Sequence, residues 1–473
     1  MAGENKTTDN RPRESESEQE RLQRENQRLR EENERLKKLV RDLQEQLRAS
    51  HRNAAPYSTG QRVANPRGPG RKTGQGPFVR RAAPPEEWIT QILPAPAPEA
   101  CPDCGGALIW DREEIASTTD IPPQPKPIVT RYRVAVCHCG QCGKTVRGTA
   151  PGLAPSQFGA TAHRVGPGVK AVAHTLHYGS GVPVRKVPGI LKELQGVTIT
   201  QSALTQDAMK RAQAEVGQVY QRLRQAIPLS AAVHTDDTGW RVAGNTAHLM
   251  VFVTSDTTVY QIRAQHRNEE VRELIPDNYA GVMITDRGKS YDARQLEGVD
   301  QQKCVGHLQR NISEVIDRKQ GAARLFGLTL KELLHAGLEL YEKRSALSSG
   351  EYRREVNELD ELLTYHLRPR SLRDADNQRL LDGIGEHHRR GNVLRFLSQE
   401  GVEPTNNRAE RALRPAVIAR KVSQCSKNTA GAETFTAFVS VVQSAFQQGV
   451  RSTVDYLRNL FSPQPVACFG QEH

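Results

Sequence analysis

The sequence predicts a multi-domain α/β protein, and three observations carry that expectation. From Leu229 onward the apolar pattern has a period of two through three successive segments, then alternates between helical and strand-like stretches. Two cysteine pairs of C-x2-C spacing precede this region, and a leucine heptad precedes both. The chain has 473 residues, of which 37% are hydrophobic and only 5% aromatic. That length suits two to four domains, and that composition leaves part of the length solvated.

The first segment, residues 1–50, reads as a coiled coil. Leu22, Leu29, Leu36 and Leu43 recur every seventh residue, and with these at d, Gln19, Asn26, Asn33, Val40 and Leu47 fall at a. Glu25 and Glu32 at g then precede Arg30 and Lys37 at e, the spacing that pairs charges between parallel helices. Two a-position asparagines favour a parallel dimer at some cost in stability; the alternative is a single solvated helix.

Residues 51–85 hold eleven glycines and prolines, so no periodic element persists and a tether is expected. The stretch carries Arg52, Arg62, Arg67, Arg71, Lys72, Arg80 and Arg81 with no acid, +7 of the chain's net +12. Contact with a polyanion, double-stranded DNA above all, explains that bias better than solubility alone. Arg71, Lys72, Arg80 and Arg81 are the candidate contacts.

Residues 86–150 contain Cys101-Pro-Asp-Cys104-Gly-Gly and Cys139-Gly-Gln-Cys142-Gly. Each pair spans a tight turn followed by glycine, which lets backbone amides approach the sulfurs. Together the four thiolates suit one structural zinc, with TRYRVAV a strand feeding the second knuckle. Cys137 is a nearby competing ligand without the two-residue spacing. Residues 151–228 are helical in pattern, turning at Gly196. They are either a DNA-binding helix-turn-helix or a bridge packed on the next domain.

Residues 229–461 read as the catalytic domain. LSAAVHTDDTGWRV, AHLMVFVT and TVYQIRA are three antiparallel strands with turns at Gly244-Asn245 and Ser255-Asp256. NEEVRELI is helical, GVMITD a short buried strand, SYDARQLE helical again and QKCVG a last short strand. The order βββ-α-β-α-β is that of a ribonuclease H-like core. A helical insertion follows over about 308–400, and VEPTNNRAERALRP opens a helix with Glu410 one turn in. Residues 462–473 form a tail.

Asp236 on the first strand, Asp286 at the exit of the fourth and Glu410 on the late helix can supply carboxylates to two magnesium (or manganese) ions. Cutting and joining phosphodiesters needs such a pair with positions left open for water and phosphate. The alternative for Glu410 is an i,i+4 partner of Arg414 on an exposed face. Residues 405–427 carry six bases against one acid, and Arg408, Arg411, Arg414, Arg420 and Lys421 are candidate DNA contacts. Trp240 is expected to pack in the core.

HTDDTGWRV, GVMITDRGKSYDA, KCVGHLQRN and TNNRAERALRPAVIARK resemble the insertion sequence 66 family of bacterial transposases, and the resemblance extends over nearly the whole chain. It implies a DDE triad of Asp236, Asp286 and Glu410 acting on the ends of a mobile element. The expected setting is the bacterial cytoplasm at the nucleoid. It also implies a homodimer or higher assembly on DNA, and partners that include companion proteins encoded by the same element.

The family has Glu after the first Asp, where this chain has Asp237. Side chains alternate along a strand, so only one of Asp236 and Asp237 can meet Asp286. The pattern leaves that choice open and the resemblance selects Asp236, with Asp237 a lesser ligand or an acid just outside the metal ligands. Cys304-Val-Gly-His307 resembles a C-x2-H motif of transposases with a helical insertion, which makes Cys304 and His307 active-site neighbours; a buried Cys and a capping His are the alternative.

A structure-specific nuclease with the same core, or an inactive DNA-binding regulator built on the zipper and zinc finger, is the competing function. No apolar run approaches the roughly 18 residues needed to span a bilayer, and the N-terminal MAGENKTTDN is too polar for a signal peptide, so an intracellular protein is expected.

Overall fold

The computed structural model describes residues 83–119, 126–154 and 156–462, together with Gln27, Leu29, Arg30 and Glu34. Those four are helical; the rest of the expected coiled coil, and Arg71, Lys72, Arg80 and Arg81 of the tether, lie outside the described residues. The chain separates into two compact units, Met1–Thr119 and Asp120–His473.

In the first unit the described residues are mostly irregular apart from a turn at Glu86–Trp88 and a knuckle at the first cysteine pair. The second begins with a hairpin, β1 (Val136–His138) and β2 (Thr145–Arg147), which brackets the second pair. Helices α1 (Pro167–His174), α2 (Val187–Gln195), α3 (Gln201–Gln213) and α4 (Glu215–Ala226) follow. As expected, α2 stops at Gly196, whose φ of 63° provides the left-handed C-cap.

The central sheet contains β3 (Ala232–Val242), β4 (Asn245–Val253), β5 (Thr258–Arg263), β6 (Val282–Thr285) and β7 (Gln301–Lys303) in the order β5-β4-β3-β6-β7. The first three pair antiparallel, while β6 is parallel to β3 and β7 parallel to β6. Being central and parallel, β6 is buried on both faces, which explains its unbroken apolar run.

Two local expectations shift. Val242 pairs with Asn245, so the first hairpin turns on Ala243-Gly244, with φ 51° and 83°, and not on Gly244-Asn245. A two-residue loop with both φ positive matches the strand twist, and Asn245 is left to start β4. Between β6 and β7 the stretch read as helical has only a short turn, Arg294–Leu296. The buried ring of Tyr291 and the ion pair of Asp292 with Lys303 hold that segment by side-chain contacts.

The helix α5 (Asn268–Arg272) packs on one face of the sheet, in a core with Val233, Met250, Phe252 and Met283. On the other face lie α11 (Asn407–Ser423) and α12 (Thr429–Gln447), together with α13 (Thr453–Phe461), around Trp240, Leu249, Val251 and Phe438. Trp240 is buried and stacked on Phe435, as expected. Two serines of α12 occupy the outer edge of β5: Ser440 Oγ accepts from Tyr260 N (2.9 Å) and Ser444 Oγ from Thr258 N (3.0 Å). An edge strand is thereby closed to further pairing.

The insertion consists of α6 (Val305–Ile316), α7 (Gly321–Lys343), α8 (Ser349–His366), α9 (Ala375–Arg389) and α10 (Arg395–Ser398). Its core includes Val282 and Ile284 of β6, so this helical block is anchored directly on the strand that leads to Asp286. No helix among the described residues is long and apolar enough to cross a membrane.

Candidate active site

Register decides which acids meet. In the parallel β3–β6 pair His234 lies opposite Ile284, so two residues further along Asp236 comes level with Asp286. Both share the parity of Val282 and Ile284, and Thr238 and Trp240 on the same side of β3 meet α11 and α12. Asp237 points to the opposite face.

Electrostatics follow from this placement. Burial first, and then the neighbouring charges of Asp286 and Asp237, together push the Asp236 carboxyl up to about 7 against the Asp237 backbone N–H, which lowers it. Asp237 moves the other way: burial would raise it, but hydrogen bonds from His266 and His248 outweigh that and hold it low. The His248 and His266 Nδ1 atoms lie 2.9 and 3.0 Å from the two Asp237 oxygens. Asp286 Oδ1 accepts from Gly288 N (2.8 Å), which orients the carboxylate at the strand exit.

Glu410 stands in the first turn of α11. His307 Nε2 is 3.7 Å from its Oε1, and the His307 charge also acts on Asp236, so the histidine bridges the acids electrostatically. The Cys304 thiol beside it raises the His307 imidazole above its ordinary value, while His307 overcomes burial and lowers Cys304. Both residues of the C-x2-H motif therefore lie beside Glu410, within electrostatic reach of Asp236, while among the described residues Asp236, Asp286 and Glu410 do not all bring their carboxylate oxygens within 4.8 Å of one another.

Asn406 positions Glu410 and escaped sequence reading, where Asn-Asn before a helix looks like an ordinary cap. Its side chain does not cap α11. It donates to Thr235 O on β3 (2.9 Å), and its backbone N–H donates to Cys304 Sγ (3.2 Å), with the residue fully buried. Asn406→Ala leaves that strand carbonyl without its side-chain donor, which costs about 1–3 kcal/mol. Urea unfolding should register the loss.

Lys303 also gave no signal in the sequence. It is fully buried, with Nζ 2.6 Å from Asp292 Oδ1 and 3.2 Å from Thr285 Oγ1, so an internal ion pair steadies the strand end that carries Asp286.

The predicted basic strip divides in two. Arg408 is tied to Glu403 (Nε to Oε1, 3.1 Å) and to Thr254 O, and Arg420 to Thr238 and Gly239. These two arginines brace α11 against the sheet. Arg411, Arg414 and Lys421 are exposed on the same helix.

The cysteine pairs form matching knuckles. Cys101 N donates to Gly106 O and Gly105 N to Cys101 O; Cys139 N donates to Lys144 O and Gly143 N to Cys139 O. Gly105 and Gly143 take φ of 72° and 70°, the left-handed conformation the tight turn needs. Backbone amides of Asp103 and Cys104 hold the Cys101 thiol below its ordinary value, and those of Cys142 and Gln141 do the same for Cys139. Cys137 sits on β1, outside the knuckle.

A sequence model of the Transposase IS66 family matches residues 163–434, a span running from just ahead of α1 into α12 and containing all three acids. No curated protein matches the chain.

Proposed function

Because the chain belongs to the IS66 transposase family, we propose that it cuts and joins DNA at the ends of its mobile element through a DDE triad of Asp236, Asp286 and Glu410 on a ribonuclease H-like core. The observation that supports this reading is the β3–β6 register that brings Asp236 level with Asp286, with His307 3.7 Å from Glu410 and its charge acting on Asp236. Antiparallel β3–β5 followed by parallel β6 and β7 supports the core assignment.

The donor set fits divalent magnesium or manganese. Three carboxylates come from three elements, and Asp236 is disfavoured as an anion, first by burial and then by the Asp286 charge, so a cation is the natural compensation. Two such ions, when bound, polarise phosphate and activate water or a 3′-hydroxyl. The chain's own contribution is to aim the acids through the strand register, to orient Asp286 through Gly288 N–H, and to hold Glu410 through Asn406 and His307.

Exposed Arg411 and Arg414 lie one and four residues beyond Glu410. They are the candidate backbone contacts from this helix, with Lys421 further along and with Arg71, Lys72, Arg80 and Arg81 of the tether. Replacing both Arg411 and Arg414 by alanine should weaken cognate and random duplexes alike and flatten the slope of log K against log salt by nearly 2, at about 0.9 for each phosphate no longer neutralised. An unchanged slope would assign that face to something other than DNA.

The matching knuckles support a thiolate-bound structural zinc on Cys101, Cys104, Cys139 and Cys142, as the sequence spacing predicts. Cobalt substitution should produce thiolate charge-transfer absorption, lost in Cys104→Ser and in Cys142→Ser. Loss on Cys137→Ser with retention on Cys139→Ser would transfer the ligand role to Cys137.

The function itself is tested with the full chain, Mg2+ and duplexes carrying the DNA that flanks the coding region, where the family assignment predicts terminal inverted repeats. Joined donor–target products are expected. Hydrolysis without joining would make the protein a nuclease, and binding without either reaction a regulator.

A further inference from the structure

We propose that Asp237, His248 and His266 form a second metal site, for a divalent first-row transition ion of the zinc class, on the face of the sheet opposite Asp236. The three come from different places, β3, β4 and the segment after β5, and offer ligand atoms that all lie within 4.8 Å of one another. Both imidazoles turn Nδ1 toward the carboxylate, at 2.9 Å for His248 and 3.0 Å for His266. Around a tetrahedral zinc, with bonds of about 2.0–2.2 Å, neighbouring ligand atoms stand roughly 3.3 Å apart, so small adjustments open the space.

The donor types select the ion. Two imidazoles and one carboxylate suit zinc, cobalt or nickel, whereas magnesium prefers an all-oxygen shell. His266 also has the outer contact that ligating imidazoles usually possess: Ser290 Oγ lies 3.2 Å from its Nε2. With the ion on Nδ1, the ring proton sits on Nε2 and donates to that hydroxyl, so a tautomer shift frees the ligand atom without net ionisation of the ring.

Cover is graded across the cluster. The His266 side chain is 11% exposed, Asp237 27% and His248 33%, so one side opens to solvent and leaves room for a water as fourth ligand. A bound ion would join β3, β4 and the exit of β5 one residue from Asp236. Without an ion the same atoms make a carboxylate–imidazole hydrogen-bond cluster, and experiment separates the two states.

The test uses the full chain loaded with Zn2+ alone, dialysed, then examined by elemental analysis and zinc K-edge absorption. His248→Ala and His266→Ala should each hold one zinc fewer per chain than the wild type. The wild-type spectrum should contain a nitrogen/oxygen shell near about 2.0–2.1 Å, and excess Mg2+ should leave it intact. The same zinc content in all three proteins, or sulfur scattering alone in the wild type, overturns the proposal. Wild-type absorption covers the case in which a variant fails to fold. A Cys104→Ser, Cys142→Ser double variant that keeps one zinc with a nitrogen/oxygen shell assigns that ion to this cluster, so the two zinc readings fail separately.

Discussion

Asp286→Ala protein should bind element ends normally and show no measurable cleavage or strand transfer. The carboxylate leaves the strand exit level with Asp236, so its loss removes one shared oxygen donor from the proposed metal pair and leaves Asp236 without its geometric partner. Metal stabilisation of the transition state is worth several kcal/mol, and at about 1.4 kcal/mol per factor of ten the rate should fall at least a thousandfold. Asp286→Asn separates chemistry from folding: its amide oxygen can still accept from Gly288 N–H, preserving the turn, while the charge is gone. It should be as inactive as the alanine variant and melt like the wild type. Full activity in either variant would remove Asp286 from the site. Asp237→Ala more damaging than Asp236→Ala would move the first ligand by one residue.

Magnesium binding should weaken about tenfold for each pH unit below 7, because one proton must leave Asp236 before the ion can bind. The folded carboxyl titrates at about 7 against an ordinary 3.8, owing first to burial and then to the Asp286 and Asp237 charges. For an acid whose folded value is raised, the folded protein holds the extra proton between the two values. Stability of the metal-free protein therefore falls as pH rises from about 4 to 7, by roughly 4 kcal/mol at about 1.4 per unit. Magnesium supplies the missing counter-charge above that window, so it should raise the melting temperature more at pH 8 than at pH 6. Calorimetric titration from pH 6 to 8 tests the slope, with Asp236→Asn as the control that loses it. Magnesium affinity independent of pH over that range would exclude Asp236 as the titrating ligand.

Much of the architecture was legible because its signals are local. Period-two apolarity marked β3, β4 and β5, the unbroken run of β6 marked a buried strand, and helical sequence marked the insertion over about 308–400, where the structure has helices from Val305 to Ser398. Two elements were misread: TRYRVAV, read as a strand, is irregular until β1 begins at Val136, and SYDARQLE had helical composition but is held by Asp292 on Lys303, a contact between residues that no local window joins. Likewise the first hairpin turned one residue earlier than the Gly-Asn pair suggested, because strand pairing and not turn composition decides the register.

The amino-acid sequence by itself determined most of the order of the elements, the acids on the first strand, at the exit of the fourth and on the late helix, and the two cysteine knuckles, since each depends on neighbours a few residues apart. The choice between Asp236 and Asp237 waited for the tertiary structure, because alternation says that adjacent residues face opposite ways and only the β3–β6 register says which face carries Asp286. The same is true of His248 and His266 around Asp237, of Asn406 on Thr235, and of the division of the arginines into braces and exposed cations. Those relations are distances between segments remote in the chain, and pairing and packing create them only when the sheet closes.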